Sequence, residues 1–465
     1  MTVTLQQLGQ VTGVTSIPFY IPDIYGIAVV LNPSLPALIF QYFPQNSSYH
    51  TGLIIGTQTQ TQLYATSTSQ ITRIYAYQIP TQLMQNYILT GGYVSGVSGC
   101  QSGWYLVYNP SNNNYKTNCN LLPSGYPNSQ LFDVVIDYQN KAVYLMHMSL
   151  GSASVLIISI PYNDFASFLS NLALPSNYQV GYVQGNISNA SSGIFSNVVY
   201  YNQTFYIGGQ FGGVAYIWTF ALSSVSFSSS PPSSPSTVGN VYTIYQNSNV
   251  GANNINIFLN VYNDNGTITY EILAYVQTAN SPYIYSFNLS TNTATLLYQS
   301  PGTIASLTAG FNLYGIIIFA YNINGDTFAV GVYDRKTNSF EASSSISNLL
   351  ALYMATPNYA VAISGSDPYY GGSSYNINIT IYRVLVDVTP QIQNLTFSNN
   401  TISGQVINLT DNQPLSGITV YLILLQGQGD SYVTGQIVTS TTTDANGNFS
   451  FSITQSGYYA VEVIQ

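Results

Sequence analysis

The chain is 465 residues long and carries six Lys plus Arg, fifteen Asp plus Glu and two His, so 5% of it is charged where a soluble domain has about a quarter. A formal charge of −9 without any basic stretch excludes nucleic-acid binding by phosphate neutralisation, and 46% hydrophobic with 14% aromatic residues excludes disorder. So few carboxylates leave acid little to protonate, which predicts a surface facing acidic surroundings and a fold that persists from about pH 2 to 7.

The opening MTVTLQQLGQVTGVTSIPFYIPD has neither a basic leader nor a continuous apolar run, so it does not read as a secretory signal. The uncharged stretch 25–43 is broken by Asn32, Pro33 and Pro36, and the run around Ile316 is short. No transmembrane helix and no membrane anchor of its own are expected. Runs of Tyr, Val, Ile, Thr and Phe bounded by Gly, Asn, Ser or Pro recur throughout, and this predicts an all-β protein.

Cys100 and Cys119 flank a hairpin-like segment, 103–118, whose folding brings them together. In an oxidising setting a disulfide there closes a loop worth about 3 kcal/mol. One phrase then repeats: a strand of alternating Tyr and aliphatic residues, an Asn- or Ser-rich turn, and a short outer strand. It occurs near Ile74, Val107, Ile157, Ile217, Tyr285, Val330 and Ile379. Spacings mostly of roughly 45 to 60 residues, the first gap being shorter, suit about seven four-stranded propeller blades. The segments Ile88-Leu-Thr-Gly91-Gly92 and Tyr206-Ile-Gly208-Gly209 carry a double glycine that resembles the kelch-like β-propeller family, with Tyr115 or Phe340 where kelch repeats have an outer-strand Trp.

Asp133 and Asp137 lie an even number of residues apart, hence on one strand face. They are read as turn caps rather than a catalytic or cation-binding pair. The stretch 223–239, rich in Ser and Pro, reads as a long loop between blades. His147 sits among apolar residues in Tyr144-Leu-Met-His-Met148 and reads as a satisfied core histidine.

Past Thr389-Pro390 the pattern changes. Ile402-Ser-Gly404-Gln-Val406, Gln413-Pro-Leu-Ser-Gly417, Thr443-Asp444-Ala-Asn-Gly447-Asn-Phe449-Ser-Phe451 and Gly457-Tyr-Tyr459-Ala-Val461-Glu-Val463 follow in order. Together they closely resemble the carboxypeptidase-regulatory-like family, which implies a prealbumin-like, seven-stranded, non-catalytic spacer or adhesion module. The chain therefore divides into a propeller at 1–387, with an N-terminal arm and the 223–239 loop, and a β-sandwich at 388–465.

No nucleotide-binding, zincin or complete EF-hand motif occurs, and the Asn263-Asp-Asn-Gly266 and Asn324-Gly-Asp326 segments are more simply hairpin turns. No catalytic residue, cofactor or metal is expected, and the chain is read as not an enzyme. A polysaccharide-active propeller would need scarce acids to converge with Arg335 or Arg383. Asn-x-Ser/Thr acceptors stand at Asn46, Asn186, Asn189, Asn202, Asn265, Asn288, Asn378, Asn394, Asn399, Asn408 and Asn448, although roughly nine or ten would arise by chance in so Asn-, Ser- and Thr-rich a chain. Tyr369, Tyr370 and Tyr375, in a Gly-rich loop, are candidate binding aromatics.

The charge-poor, Tyr- and amide-rich style resembles surface and virion proteins of hot-acid archaea of the Sulfolobus type. That resemblance implies a virion spike or fibre component that attaches to a host surface glycan or protein within an oligomeric assembly of other structural proteins. The alternatives are a secreted host surface or filament protein and a secreted propeller enzyme. The expected location is a virion surface or the cell exterior.

Overall fold

A computed structural model describes residues 2–15, 27–32, 35–42, 50–55, 61–65, 88–93, 103–109, 114–123, 126, 129–149, 151–188, 190–279, 282–299, 303–309, 316–356, 359–365, 376–386, 390–429 and 433–464. Up to residue 386 the β-rich runs form successive antiparallel meanders, so the chain is an all-β propeller. Four strands make each of the sheets at 27–65, 129–184, 193–245, 252–299 and 303–342, and the sheet at 88–118 has three among the described residues. The last sheet takes three strands from 351–386 and its outer one from the other end of the chain. Val3–Thr15 pairs antiparallel with Asn376–Val386, from Val3 opposite Val386 to Thr15 opposite Asn376. The expected N-terminal arm is thus the strand that closes the ring.

First strands of neighbouring sheets touch in sequence from the 88–118 sheet to the 351–386 sheet and on to the 27–65 sheet, which sets them round an axis. Burial follows that geometry. Ser129–Asp137, a first strand, is buried at every position, whereas Thr293–Gln299, an outer strand, is buried at none. The recurring Tyr-aliphatic phrase is the penultimate strand of its sheet at Val107, Ile157, Ile217, Tyr285, Val330 and Ile379; Ile74 lies outside the described residues. Asparagine supplies the turns because its short amide tolerates left-handed backbone. Nine of the twelve non-glycine residues with positive φ, among those described, are Asn.

The Ser/Pro-rich stretch does not join two blades. It lies within the 193–245 sheet, between Val214–Ala221 and Asn240–Tyr245, and straps back onto the preceding one. Ser236–Thr237 pairs parallel with Gln184 and Val183, and the Trp218 indole N–H donates to the Val238 carbonyl at 2.9 Å. Those bonds fix a segment whose composition alone reads as a spacer.

Residues 390–464 form the small sandwich. One sheet runs Pro390–Ser398, Thr401–Asn408, Asn448–Ser452; the other runs Val433–Thr442, Thr419–Gln428, Tyr459–Val463. These are six strands among the described residues, where the family resemblance implies seven. Ile402, Val406, Val420, Leu422, Phe449, Phe451 and Val463 fill the space between the sheets. The second sheet is continuous with a propeller blade, because Gly427 and Gln428 pair with Asp137 and Ile136.

Candidate functional site

The sandwich presents its second sheet to the propeller. Alternation puts Leu422, Val461 and Val463 in its own core and turns Tyr421, Ile423, Ala460 and Ile464 outward. The outward set packs on Val199, Tyr206 and Ile257 of the propeller. The Tyr138 amide N–H donates to the Gln426 carbonyl at 3.0 Å, and its hydroxyl donates to Gln428 Oε1 at 2.7 Å. Gly427 is required at the tightest approach, since a Cβ there would lie 2.9 Å from both Thr434 Oγ1 and Tyr200 Cδ1.

A cleft of about 500 Å³ opens beside this junction. The blade contributes Tyr138, Gln139 and Lys141 from the turn after its first strand, and Tyr162 and Asn163 from the end of its third. The sandwich contributes Leu424–Gln426 and Ser456–Tyr458. Three rings meet there: Tyr458 lies 5.1 Å from Tyr138 and 5.6 Å from Tyr162, with Tyr138 and Tyr162 5.8 Å apart, centroid to centroid. Tyr138 and Tyr162 are buried, while Tyr458 is 39% exposed and so offers the free face. Burial, then repulsion from Tyr458, raises Tyr138 above the ordinary phenol range, so its hydroxyl stays protonated as a donor. Lys141 is the one ionisable lining group besides the tyrosines, and the remaining polar lining side chains are Gln139, Asn163, Gln426 and Ser456.

Elsewhere the scarce charges serve the fold. Asp137, fully buried, accepts from the Asn140 amide at 2.9 Å and the Tyr200 hydroxyl at 2.6 Å; Asp133 accepts from Val134 N–H at 2.7 Å and Val198 N–H at 2.5 Å. Glu271 receives Arg335 Nε at 2.9 Å, Asn260 Nδ2 at 2.8 Å and the Ser286 hydroxyl, and the Arg335 guanidinium lies over the Tyr262 ring. The Arg383 guanidinium donates to Gln391 Oε1 at 3.4 Å. Among the described residues no three His, Cys, Asp or Glu side chains gather as a metal cluster.

Tyr369, Tyr370 and Tyr375 lie outside the described residues, as do Asn46 and Asn189. Asn186, Asn202, Asn265, Asn288, Asn394, Asn399 and Asn448 are exposed, and Asn378 and Asn408 are half-buried. Asn202, Asn265, Asn394 and Asn399 have left-handed backbone, a conformational reason for asparagine that needs no glycan. Cys119 is disulfide-bonded, and Cys100 lies outside the described residues. Sequence reasoning missed Tyr138, Tyr162 and Tyr458.

No family model matches the chain, and no curated protein matches it. Solved structures with a similar fold include a putative 6-phosphogluconolactonase from Bacteroides fragilis, at 10% identity over 70% of this chain and 84% of that one with a TM-score of 0.42. The β-propeller domain of the Trilobed protease from Pyrococcus furiosus is 6% identical over 73% and 90%, with a TM-score of 0.37. An oligogalacturonate lyase from Vibrio parahaemolyticus is 11% identical over 82% and 98%, with a TM-score of 0.35. The expectation that this chain is not an enzyme is corrected by these likenesses, since all three carry enzyme names, the second as the propeller domain of a protease. The physical reason is that a propeller gathers side chains distant in sequence, so the lack of a contiguous motif does not decide the matter.

Proposed function

We propose that the chain is an attachment protein of an acid-exposed exterior surface and that it holds an uncharged glycan in the tyrosine cleft between propeller and sandwich. The carrying observation is Tyr458, a part-exposed ring braced on two buried tyrosines and surrounded by amide side chains. Sugars offer apolar C–H faces that stack on such rings and hydroxyls that pair with amides, and a braced ring loses little entropy on binding. The near absence of charge in the cleft favours a ligand that is itself uncharged.

On this reading the propeller is a kelch-like scaffold and the C-terminal unit a carboxypeptidase-regulatory-like module. The charge-poor composition favours a virion spike or fibre component of a virus of acidophilic archaea, associated with other structural proteins, with a host envelope protein as the alternative. Glycan-array screening of the intact chain at pH 5, followed by titration calorimetry, tests the binding reading. Tyr458→Ala is expected to weaken binding tenfold or more without unfolding the protein, because the ring is not part of a core. Equal affinity in the variant removes the cleft from the function.

A further inference from the structure

A second cavity, of about 760 Å³, opens in the sandwich on the other side of the segment before the last strand. Ser456, Gly457 and Tyr458 line both cavities, so the two share a wall. The second is the more apolar. Phe397 is paired with Ile402, a core residue, yet remains 66% exposed, and neighbouring Leu395 is 55% exposed. Ile453 and Val461 line the same space. The sandwich core is therefore open at this end, and no lining residue of the opening is ionisable apart from Tyr458 and Tyr459.

We propose that the two cavities are consecutive subsites of one groove for a single extended, uncharged glycan. The cleft takes one part by stacking on Tyr458 and pairing with amides. The open sandwich takes the next part, a sugar presenting an apolar face or an acetyl or deoxy substituent, against Phe397 and Leu395. Continuity through Tyr458, with no charge in the second cavity and Lys141 the single charged group lining the first, favours one chain without charged groups over two unrelated ligands. The proposal rests on the glycan reading of the cleft and adds the ligand's length and the apolar character of its second part.

The test titrates neutral gluco- and manno-oligosaccharides of one to six sugars, plain and O-acetylated, into the intact chain and three variants: Tyr458→Ala, Phe397→Ala and Leu395→Ser. Affinity is expected to rise tenfold or more once the oligosaccharide is long enough to cross Tyr458. Phe397→Ala and Leu395→Ser are expected to abolish that rise while leaving the shortest binders unchanged, and Tyr458→Ala to weaken every length. Affinity independent of length, or a rise untouched by both sandwich variants, overturns the groove and leaves the cleft standing. No binding by any member removes the cleft and the groove together. Phe397 and Leu395 are exposed, and an unchanged urea midpoint for each variant excludes misfolding as the cause.

Discussion

Two ionisable groups, His147 buried and Glu462 half-buried, set opposite pH limits on this otherwise charge-poor fold. His147 is wholly buried between the 88–118 and 129–184 sheets, where its Nε2 bonds to the Tyr105 hydroxyl. Burial pushes its pKa down from 6.5 to about 3, against a smaller opposing pull from the carbonyls of Leu156 and Leu145. Glu462 stands between Val461 and Val463, on the sandwich face that docks on the propeller beside Ala460 and Ile464, with Tyr421 opposite it. Burial alone pushes its pKa up from 4.5 to about 8. The tyrosines Tyr201, Tyr206, Tyr242 and Tyr270 belong to the same docking cluster, and no charged group contributes to the shift.

The signs follow from linkage. The depressed pKa of His147 makes its contribution whole above 6.5 and lost as pH falls towards 3. The raised pKa of Glu462 makes its contribution whole below 4.5 and lost as pH rises through about 8. Between 4.5 and 6.5 one proton is traded against the other, so stability is expected to be flat there and to fall on both sides. Each interval spans a ceiling of about 5 kcal/mol at about 1.4 kcal/mol per pH unit. Glu462 keeps part of its side chain in water, so about 2 kcal/mol is expected on the alkaline side. Asp444, held low by the Asn448 amide first among its partners, adds to the acid side. Urea unfolding of the intact chain in half-unit steps from pH 2.5 to 9 measures the profile. His147→Gln should flatten the acid limb and Glu462→Gln the alkaline one. A profile flat from pH 2.5 to 9, or limbs that persist in the matching variants, refutes the reasoning.

The other expectations concern packing. Gly427→Val should cost about 1–3 kcal/mol by overpacking against Tyr200 and Thr434, read as faster amide exchange at 133–141 and 424–428. Arg335→Ala should cost about 3 kcal/mol in urea unfolding, because it strands the buried Glu271 carboxylate, and adding Glu271→Gln should recover part of it. Asn265→Gln should cost about 1 kcal/mol and Asn265→Gly nearly nothing, since the backbone there has a φ of 50°. If a glycan rather than the turn is what asparagine supplies at that position, both variants will behave alike.

The fold is legible where local pattern decides it. Tyr283–Asn288, with its inward Ile284, Ser286 and Phe287, and the largely exposed Thr293–Gln299 meet at a turn whose Asn288 side chain accepts the Ser290 and Thr291 amides at 2.9 and 3.0 Å, all from contiguous residues. The Phe449-Ser-Phe451 pair likewise declares its core face by a period of two. What contiguous residues leave open is pairing at long range. Val3–Thr15 reads as an arm because its partner, Asn376–Val386, stands at the far end of the propeller. The 223–239 stretch reads as a free spacer because Trp218, which fixes it through Val238, sits on another strand.

The candidate site is half legible for the same reason. In Gly457-Tyr458-Tyr459, strand alternation sends one ring to the sandwich core and the other outward, so an outward tyrosine is a sequence-level signal. That it lands on Tyr138 and Tyr162 depends on how the sandwich docks, which Gly427 permits by its missing Cβ rather than by any motif. Glu462 shows the stronger case. Val461-Glu462-Val463 reads as a buried pair flanking a solvated charge, and in an isolated sandwich it would be one. Docking covers part of that outer face, and the carboxyl is then most at ease when protonated. The Tyr458 cleft lies between the same two units, so pH above about 8 is expected to loosen docking and glycan binding together.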